Sequence, residues 1–205
     1  MSTDRETLEV YTGAAEKYAG KYAKGGASSK NAKQAGDWAG FVALLPPGGR
    51  VLDLGCGPGH WAARLREAGY IAEASDATPA MAELAAERYG LAVRVEPFEA
   101  LDAVPGRYDG IWANFSLLHA PRAQFPGHLA RVFRALKPGG VFHIGMKLGT
   151  AEGRDSLGRF YAYYGEEELK QLLESAGFTV VSVRRGNGEG LAGGVETFVT
   201  VTCHG

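Results

Sequence analysis

Short apolar runs alternate along the chain with segments whose apolar residues recur every three or four positions. The runs predict buried strands, and the spaced positions predict helices that bury one face. Predicted strands cover 50–54, 70–75, 92–96, 108–114 and 141–146, and a final pair covers 178–183 and 195–201 around a glycine-rich loop at 186–194. Helices between strands imply parallel pairing, whereas a pair joined only by a loop requires one antiparallel strand. We therefore expect an α/β fold, a doubly wound Rossmann-like three-layer sandwich whose mostly parallel seven-stranded sheet has an antiparallel strand near the C-terminus.

Two helical stretches, 4–24 and 31–45, precede the first strand, with a Gly-Gly-Ala-Ser-Ser segment at 25–29 that could act as a hinge. Tyr11 and Tyr18 share one face of the first stretch. Such a face either packs on the core or forms the edge of a pocket, since tyrosine joins an apolar body to a polar tip. A chain of 205 residues suits one domain. We expect 1–48 to form a helical cap or lid on a cofactor-binding core of 49–205.

Composition and charge limit the partners. Hydrophobic residues make up 45% and charged residues 22% of the chain, and the net charge of −1 gives no general attraction for nucleic acid or anionic lipid. No apolar run approaches the roughly 20 residues that span a bilayer, and the N-terminus is too polar for a secretory signal. The two cysteines provide neither a disulfide framework nor a zinc site. We expect a cytoplasmic protein, monomeric or homodimeric, without nucleic-acid, membrane or metal partners.

The strongest local feature is the segment Val51-Leu52-Asp53-Leu54-Gly55-Cys56-Gly57-Pro58-Gly59. A strand, a glycine turn and a helix in succession are typical of a nucleotide-type site, because glycine lets backbone N–H groups approach a ligand. The dinucleotide pattern G-x-G-x-x-G is not met, since His60 stands at its third glycine. The carboxylate of Asp53 would repel a phosphate but suits a cationic ligand.

With this segment, the chain resembles the class I S-adenosylmethionine-dependent methyltransferases. The glycine turn is similar to their first motif, and further similarities follow in the same order: Asp76 at the end of the second strand, then 107–112, 136–142 and 174–178. The resemblance covers about 50–201. It implies S-adenosylmethionine as the cofactor, S-adenosylhomocysteine as its product, and methyl transfer by in-line displacement.

The resemblance also implies the cofactor site. Asp53 would contact the methionine end, and Asp76 would accept hydrogen bonds from both ribose hydroxyls. Members of the family often carry an acid after the third strand that contacts the adenine. Here Phe98 would flank the ring, and whether Glu99 reaches its amino group stays open. The full predicted set is Asp53, Gly55, Cys56, Gly57, Gly59, Asp76, Ala77, Met81, Phe98, Glu99, Asn114 and Ser116.

The acceptor is predicted to lie beyond the methyl group. The segment 114–119 should face it, and His119 is either a general base or a histidine bonded to backbone at a helix start. An insertion at 147–165 is rich in cationic and aromatic residues, which either bind the acceptor or pack on the sheet. The predicted substrate contacts are Tyr11, Tyr18, Arg154, Tyr161 and Tyr164.

The absence of a basic stripe favours a small-molecule acceptor. Methyl transfer from a sulfonium depends mainly on positioning, so the lack of an obvious catalytic constellation does not argue against an enzyme. Two other functions stay open: a scaffold that binds S-adenosylmethionine without turnover, and a nicotinamide-dependent oxidoreductase.

Overall fold

The computed structural model describes residues 4–23, 29–101 and 105–205. Its helices are α1 (Arg5–Ala23), α2 (Ser29–Ala43), α3 (His60–Glu67), α4 (Pro79–Tyr89), α5 (Phe125–Ala135) and α6 (Glu166–Ser175). Its strands are β1 (Arg50–Leu54), β2 (Ile71–Asp76), β3 (Val93–Val95), β4 (Tyr108–Asn114), β5 (Leu136–Lys147), β6 (Glu152–Arg154), β7 (Phe160–Ala162), β8 (Thr179–Glu189) and β9 (Val195–His204). Apart from residue 29, the hinge predicted at 25–29 lies outside the described residues.

Seven strands form one sheet in the order β3-β2-β1-β4-β5-β9-β8. The first five are parallel to one another, and β9 is antiparallel to both β5 and β8. The predicted doubly wound sheet with one antiparallel strand is therefore confirmed. The chain order reverses between β1 and β4, and ligands in such sheets bind beyond the carboxyl ends of the strands at that point.

The largest differences from the predicted strand boundaries are in β8 and β5. β8 was predicted to end at 183, but its pairing with β9 continues to Glu189. The glycine at 186 makes room for the ring of Phe198, since a Cβ there would lie 2.4 Å from the Phe198 Cζ atom. β5 begins at Leu136 instead of 141, with Gly139 in the left-handed region at φ 75°. Glycines that predicted a loop from the sequence thus lie within strands in the structure.

The insertion at 147–165 contains a hairpin, formed by β6 and β7 in a second, two-stranded sheet. Its strands pair antiparallel from Glu152 with Ala162 to Arg154 with Phe160. Backbone hydrogen bonds join its flanks to the main sheet, including one from the Tyr164 N–H to the Lys147 carbonyl at 3.3 Å. The hairpin therefore has a fixed position beside the carboxyl edge of β4 and β5.

The two N-terminal helices have different roles. α2 is part of the core: Phe41 is fully buried, and the Trp38 ring stacks on Trp61 at 5.4 Å between centroids. α1 packs its C-terminal half on α4, where Ala15 and Ala19 meet Met81 and Leu84. Among the described residues of the segment 1–48, which was predicted as a cap or lid, α1 lies over the carboxyl edge of the sheet.

Candidate active site

One cavity lies at the carboxyl ends of β1, β2 and β4, beneath α1. Five parts of the chain line it: α1 with the residue before it, the glycine turn after β1, the connection from β2 into α4, the 3₁₀ turn after β3, and the segment after β4. The lining residues are Asp4, Thr7, Leu8, Tyr11, Tyr18, Gly55, Gly57, Asp76, Ala77, Thr78, Met81, Phe98, Phe115, Ser116 and His119. This is the switch-point position that the strand order favours for a ligand.

The glycine turn is closely fitted to its neighbours. Gly55, Gly57 and Gly59 all have φ between 54° and 82°, which only glycine adopts at little cost. A Cβ on Gly55 would lie 2.4 Å from the Cβ of Ser116. The Gly55 and Cys56 amides donate to the Ser75 carbonyl at 2.8 and 2.9 Å. The turn is therefore pinned to β2, with its surface toward the cavity.

Two carboxylates flank the turn. Asp76 accepts from the Gly57 N–H through one oxygen and from the Thr78 N–H through the other, both at 2.8 Å. Burial raises its pKa, and these two hydrogen bonds oppose the shift. Asp53 is buried and accepts from the Ala62 N–H in the first turn of α3 at 3.0 Å. Burial, with the charge of Asp76 adding to it, raises the pKa of Asp53 to about 8.

The structure brings together part of the predicted cofactor set. Gly55, Gly57, Asp76, Phe98 and Ser116 line the cavity, with Ala77 and Met81 beside them. Ser116 is fixed by donating its hydroxyl to the Leu54 carbonyl at 2.6 Å. The predicted residues outside the lining are Asp53, Cys56, Gly59, Glu99 and Asn114.

The residues outside the lining have structural positions close by. A Cβ on Gly59 would lie 2.9 Å from that of Ala85, so this glycine permits close packing of α3 on α4. Cys56 is buried, and its thiol donates to the Gly57 carbonyl at 3.4 Å. The side chain of Asn114 lies against Gly145 of β5. Glu99 follows Phe98 in the short 3₁₀ turn Phe98–Ala100.

His119 lies at the end of the cavity that faces α1. Its Nδ1 is 2.6 Å from the Phe160 carbonyl, and its Nε2 is 2.9 Å from the Tyr11 hydroxyl. A carbonyl can only accept, so Nδ1 carries the proton and Nε2 accepts from Tyr11. Burial lowers the pKa of His119 to about 4, which keeps the ring neutral at pH 7. His119 is thus bonded to backbone and also lines the cavity, and its role as a general base stays a prediction.

The predicted substrate residues divide into two groups. Tyr11 and Tyr18 line the cavity, their rings edge to face at 5.6 Å. The structure places Arg154, Tyr161 and Tyr164 outside the lining.

Each of these three side chains contacts another part of the fold instead of the cavity. Arg154 donates to both oxygens of Asp4, at 2.9 and 2.7 Å, and so joins the hairpin to the start of α1. Tyr164 is buried against the ring of Phe125 at 4.7 Å. Tyr161 is buried behind His119, at 4.7 Å between ring centroids. Packing and ion pairing within the fold therefore engage these three side chains, and their contact with a substrate stays a prediction.

Five lining residues were not named as predicted contacts, although the last of them falls in the predicted segment 114–119: Asp4, Thr7, Leu8, Thr78 and Phe115. Thr78 could have been found, since Thr78-Pro79, two residues after Asp76, is a typical start of a helix. Phe115 has φ 59° and is the non-glycine residue with positive φ in the described parts of the chain. Strain of this kind is concentrated at functional sites, but no sequence pattern reveals it.

Two other features are absent from the described residues. The described side chains contain no group of three or more His, Cys, Asp or Glu residues able to hold a metal ion. None of the helices in the described ranges has the length and apolarity needed to cross a membrane.

Comparison with known proteins decides the family. Residues 30–183 match the sequence model of the methyltransferase domain family. The chain belongs to this family. Of the solved structures, the 1,6-didemethyltoxoflavin-N1-methyltransferase of Burkholderia thailandensis, with 1,6-didemethyltoxoflavin and S-adenosylhomocysteine bound, is similar at a TM-score of 0.75 and 27% identity. That similarity covers 97% of this chain and 87% of the other.

Two curated relatives agree with this assignment. An uncharacterized methyltransferase of Synechocystis is 30% identical over 67% of this chain and 70% of its own length. An S-adenosyl-L-methionine-dependent Diels-Alderase of Talaromyces variabilis is 38% identical over 49% of this chain, a match that spans only 37% of that relative. The resemblance to class I S-adenosylmethionine-dependent methyltransferases is therefore confirmed, and with it the cofactor that the family uses.

Proposed function

We propose that this methyltransferase transfers a methyl group from S-adenosylmethionine to a small planar acceptor that reacts through nitrogen or oxygen. The observation that carries the proposal is the position of α1 across the cavity. A molecule that reaches the glycine turn must fit beneath this helix, whose Asp4, Thr7, Leu8, Tyr11 and Tyr18 form one wall. Such enclosure favours a small molecule over a base within a nucleic acid or a residue within a folded protein.

The residues at the glycine turn suit the cofactor. Gly55 and Gly57 present a surface that a Cβ would fill. The carboxylate of Asp76 uses one hydrogen bond on each oxygen and has further lone pairs for the two hydroxyls of a ribose. Asp53, buried close by, favours a cationic group. S-adenosylmethionine supplies an electrophilic methyl group on a sulfonium.

The acceptor end of the cavity is aromatic. Tyr11, Tyr18 and Phe115 contribute rings to its walls, and planar ligands pack well against such faces. The Burkholderia relative was solved with the small heterocycle that its name specifies, which agrees with an acceptor of this class. The chain's own contribution is to hold the acceptor in line, to exclude water beneath α1, and to receive a proton where the acceptor must lose one.

The first test is binding. Thermal shift and calorimetry with S-adenosylmethionine, S-adenosylhomocysteine and NAD should show stabilisation by the first two alone. Stabilisation by NAD alone would contradict the assignment and favour an oxidoreductase.

The second test is turnover. S-adenosylhomocysteine formation should be followed with a panel of small aromatic and heteroaromatic N–H and O–H compounds, with transfer RNA and an unfolded protein as comparisons. Mass spectrometry should find the added methyl on a small compound. Binding without turnover across the panel would instead support a scaffold. Because the fungal relative is named as a Diels-Alderase, products that gain no methyl should also be sought.

A further inference from the structure

We propose that Tyr11 and His119 form a relay in which the phenol oxygen takes the acceptor's proton while the phenol proton passes to the imidazole. The inference rests on the proposed function and extends it to acceptors that must lose a proton during methylation. Both residues line the cavity that contains the glycine turn, although they lie 108 positions apart in the chain. His119 is thus the destination of the proton, and Tyr11 is the group that touches the acceptor.

The direction of the relay follows from the hydrogen bonds of His119. The Phe160 carbonyl holds the Nδ1 proton at 2.6 Å, so the Nε2 lone pair is directed at the Tyr11 hydroxyl, 2.9 Å away. The carbonyl belongs to β7, and the adjoining N–H of Phe160 donates to the Thr7 hydroxyl of α1 at 2.8 Å. The hairpin therefore fixes the imidazole tautomer and the helix that carries Tyr11 together.

The surroundings of the phenol oxygen favour negative charge on it. Arg159 is 2% exposed and donates from Nη1 to the Tyr11 oxygen at 3.1 Å. Its remaining charge is balanced by Asp155, which accepts from Nε at 3.0 Å and from Nη2 at 2.6 Å. Burial raises the pKa of the adjacent Tyr161 hydroxyl, so this group stays protonated. Arg159 is accordingly a positioning residue for Tyr11.

The charges that face His119 come from three elements. Arg159 and Asp155 lie on the hairpin, Lys147 lies at the end of β5, and Tyr11 faces it from α1. Lys147 is paired with Glu196 at 2.7 Å. Burial and the charges of Arg159 and Lys147 lower the pKa of His119. An imidazolium is therefore disfavoured as long as the other charges of the site stay the same. During methyl transfer the sulfonium charge disappears as His119 gains its proton, so the charge of the site is conserved.

The step balances in atoms and charge. The acceptor's nitrogen or oxygen forms its bond to the methyl carbon as the carbon–sulfur bond breaks. The acceptor's proton goes to the Tyr11 oxygen, and the Tyr11 proton goes to Nε2 of His119. At the end Tyr11 is again a phenol, His119 carries one additional proton, and bulk water takes that proton when the products leave.

The kinetic test compares two acceptors of similar shape, one neutral N–H or O–H compound and one already ionised at the assay pH. We expect Tyr11→Phe to lower kcat for the neutral acceptor by about 100-fold or more, within the range of general acid–base effects. For the ionised acceptor we expect a change of less than about 5-fold. His119→Gln should show the same selectivity. Equal losses with both acceptors would overturn the relay and leave Tyr11 a packing residue.

Matched controls and a second readout keep this result separate from folding and from the proposed function. Tyr70→Phe also removes a phenol hydroxyl, one that donates to the Val42 carbonyl away from the cavity, and should leave both rates unchanged.

The second readout, nitrogen-15 NMR of histidine, needs no acceptor. We expect His119 protonated on Nδ1 only, with the Nε2 resonance shifted in Tyr11→Phe. Protonation on Nε2 instead would overturn the relay, whereas a wild-type protein that methylates nothing would contradict only the proposed function.

Discussion

Replacing Asp76 by alanine should weaken S-adenosylmethionine binding by about 100-fold. Two hydrogen bonds from a ribose diol to a carboxylate contribute about 1.5–3 kcal/mol each. Part of this is offset because the existing bonds from Gly57 and Thr78 already use some of the acceptor capacity. A net loss of about 2.7 kcal/mol is a factor of about 100 in the dissociation constant. Calorimetry with S-adenosylmethionine and S-adenosylhomocysteine measures it directly.

The same substitution removes the partner of two backbone amides. An unsatisfied buried donor costs about 1–3 kcal/mol, so Asp76→Ala should lose at least about 2 kcal/mol of unfolding free energy. In a chain of this size that lowers the melting temperature by about 4–8 °C. Weaker binding could then reflect a loosened glycine turn instead of lost ribose contacts, and the experiment must separate the two.

Two comparisons make the separation. Asp109 also holds a backbone amide, that of Arg50 at 2.8 Å, but at the opposite edge of the sheet. Asp109→Ala should therefore lower the melting temperature without changing the dissociation constant. An S-adenosylhomocysteine analogue without ribose hydroxyls should bind wild type and Asp76→Ala with similar affinity. If Asp76→Ala binds the natural cofactor within about 3-fold of wild type, the role assigned to Asp76 is wrong.

Three further predictions concern packing, the helix over the cavity and acid stability. Gly55→Ala should abolish cofactor binding because its Cβ would lie 2.4 Å from a neighbouring carbon, whereas Gly90→Ala, with φ 61° and open space, should lose only about 1–2 kcal/mol of stability. Arg154→Ala should remove the Asp4 contact and speed hydrogen exchange in the first turns of α1; unchanged exchange would refute it. Denaturant titrations should show stability falling as the pH drops below about 6.5, because the unfolded chain then binds protons on three histidines that the folded protein leaves neutral, which exceeds the one proton that Asp53 holds in the folded state. The folded protein does not bind these protons, because burial lowers the pKa of three histidines: His60 and His143 to about 3, and His119 to about 4.

Local chemistry made the cofactor end of the site predictable. The glycine turn and Asp76 are each read from a few consecutive residues, and the alternation of strands and helices brings their ends to one edge of a sheet. The structure shows why the glycine turn and the acid occur together: the Gly57 amide of the turn donates a hydrogen bond to Asp76. The sequence shows the two residue types without showing that they form one unit.

The acceptor end was less predictable because its contacts span the chain. Arg154 pairs with Asp4 across 150 positions, so a cation that was predicted to bind substrate is neutralised by the residue directly before α1. No local pattern encodes that pairing. The same holds for Phe115, whose positive φ becomes visible only once the chain after β4 is seen to turn against Gly145. Long-range contacts thus decide which of the residues predicted at the acceptor end line the cavity.

The two buried carboxylates lead to a prediction about protons. Asp53 has a pKa raised to about 8 in the protein without ligand, mainly by burial, so at pH 7 it is largely protonated. If its carboxylate serves the methionine end of the cofactor as proposed, the ammonium and sulfonium charges lower that pKa, since a nearby cation favours the ionised form. Binding at pH 7 should then release up to one proton.

Calorimetry at pH 7 in buffers of different ionisation enthalpy measures the protons released. S-adenosylmethionine should release more than S-adenosylhomocysteine, because the product lacks the sulfonium and presents one cationic charge fewer to the carboxylates. At pH 9 the release should disappear, since Asp53 is then ionised before the ligand arrives. Asp53→Asn should remove the release while keeping an acceptor oxygen for the Ala62 amide. Equal release by Asp53→Asn and wild type would show that the proton comes from another group and that Asp53 does not face the cationic end of the cofactor.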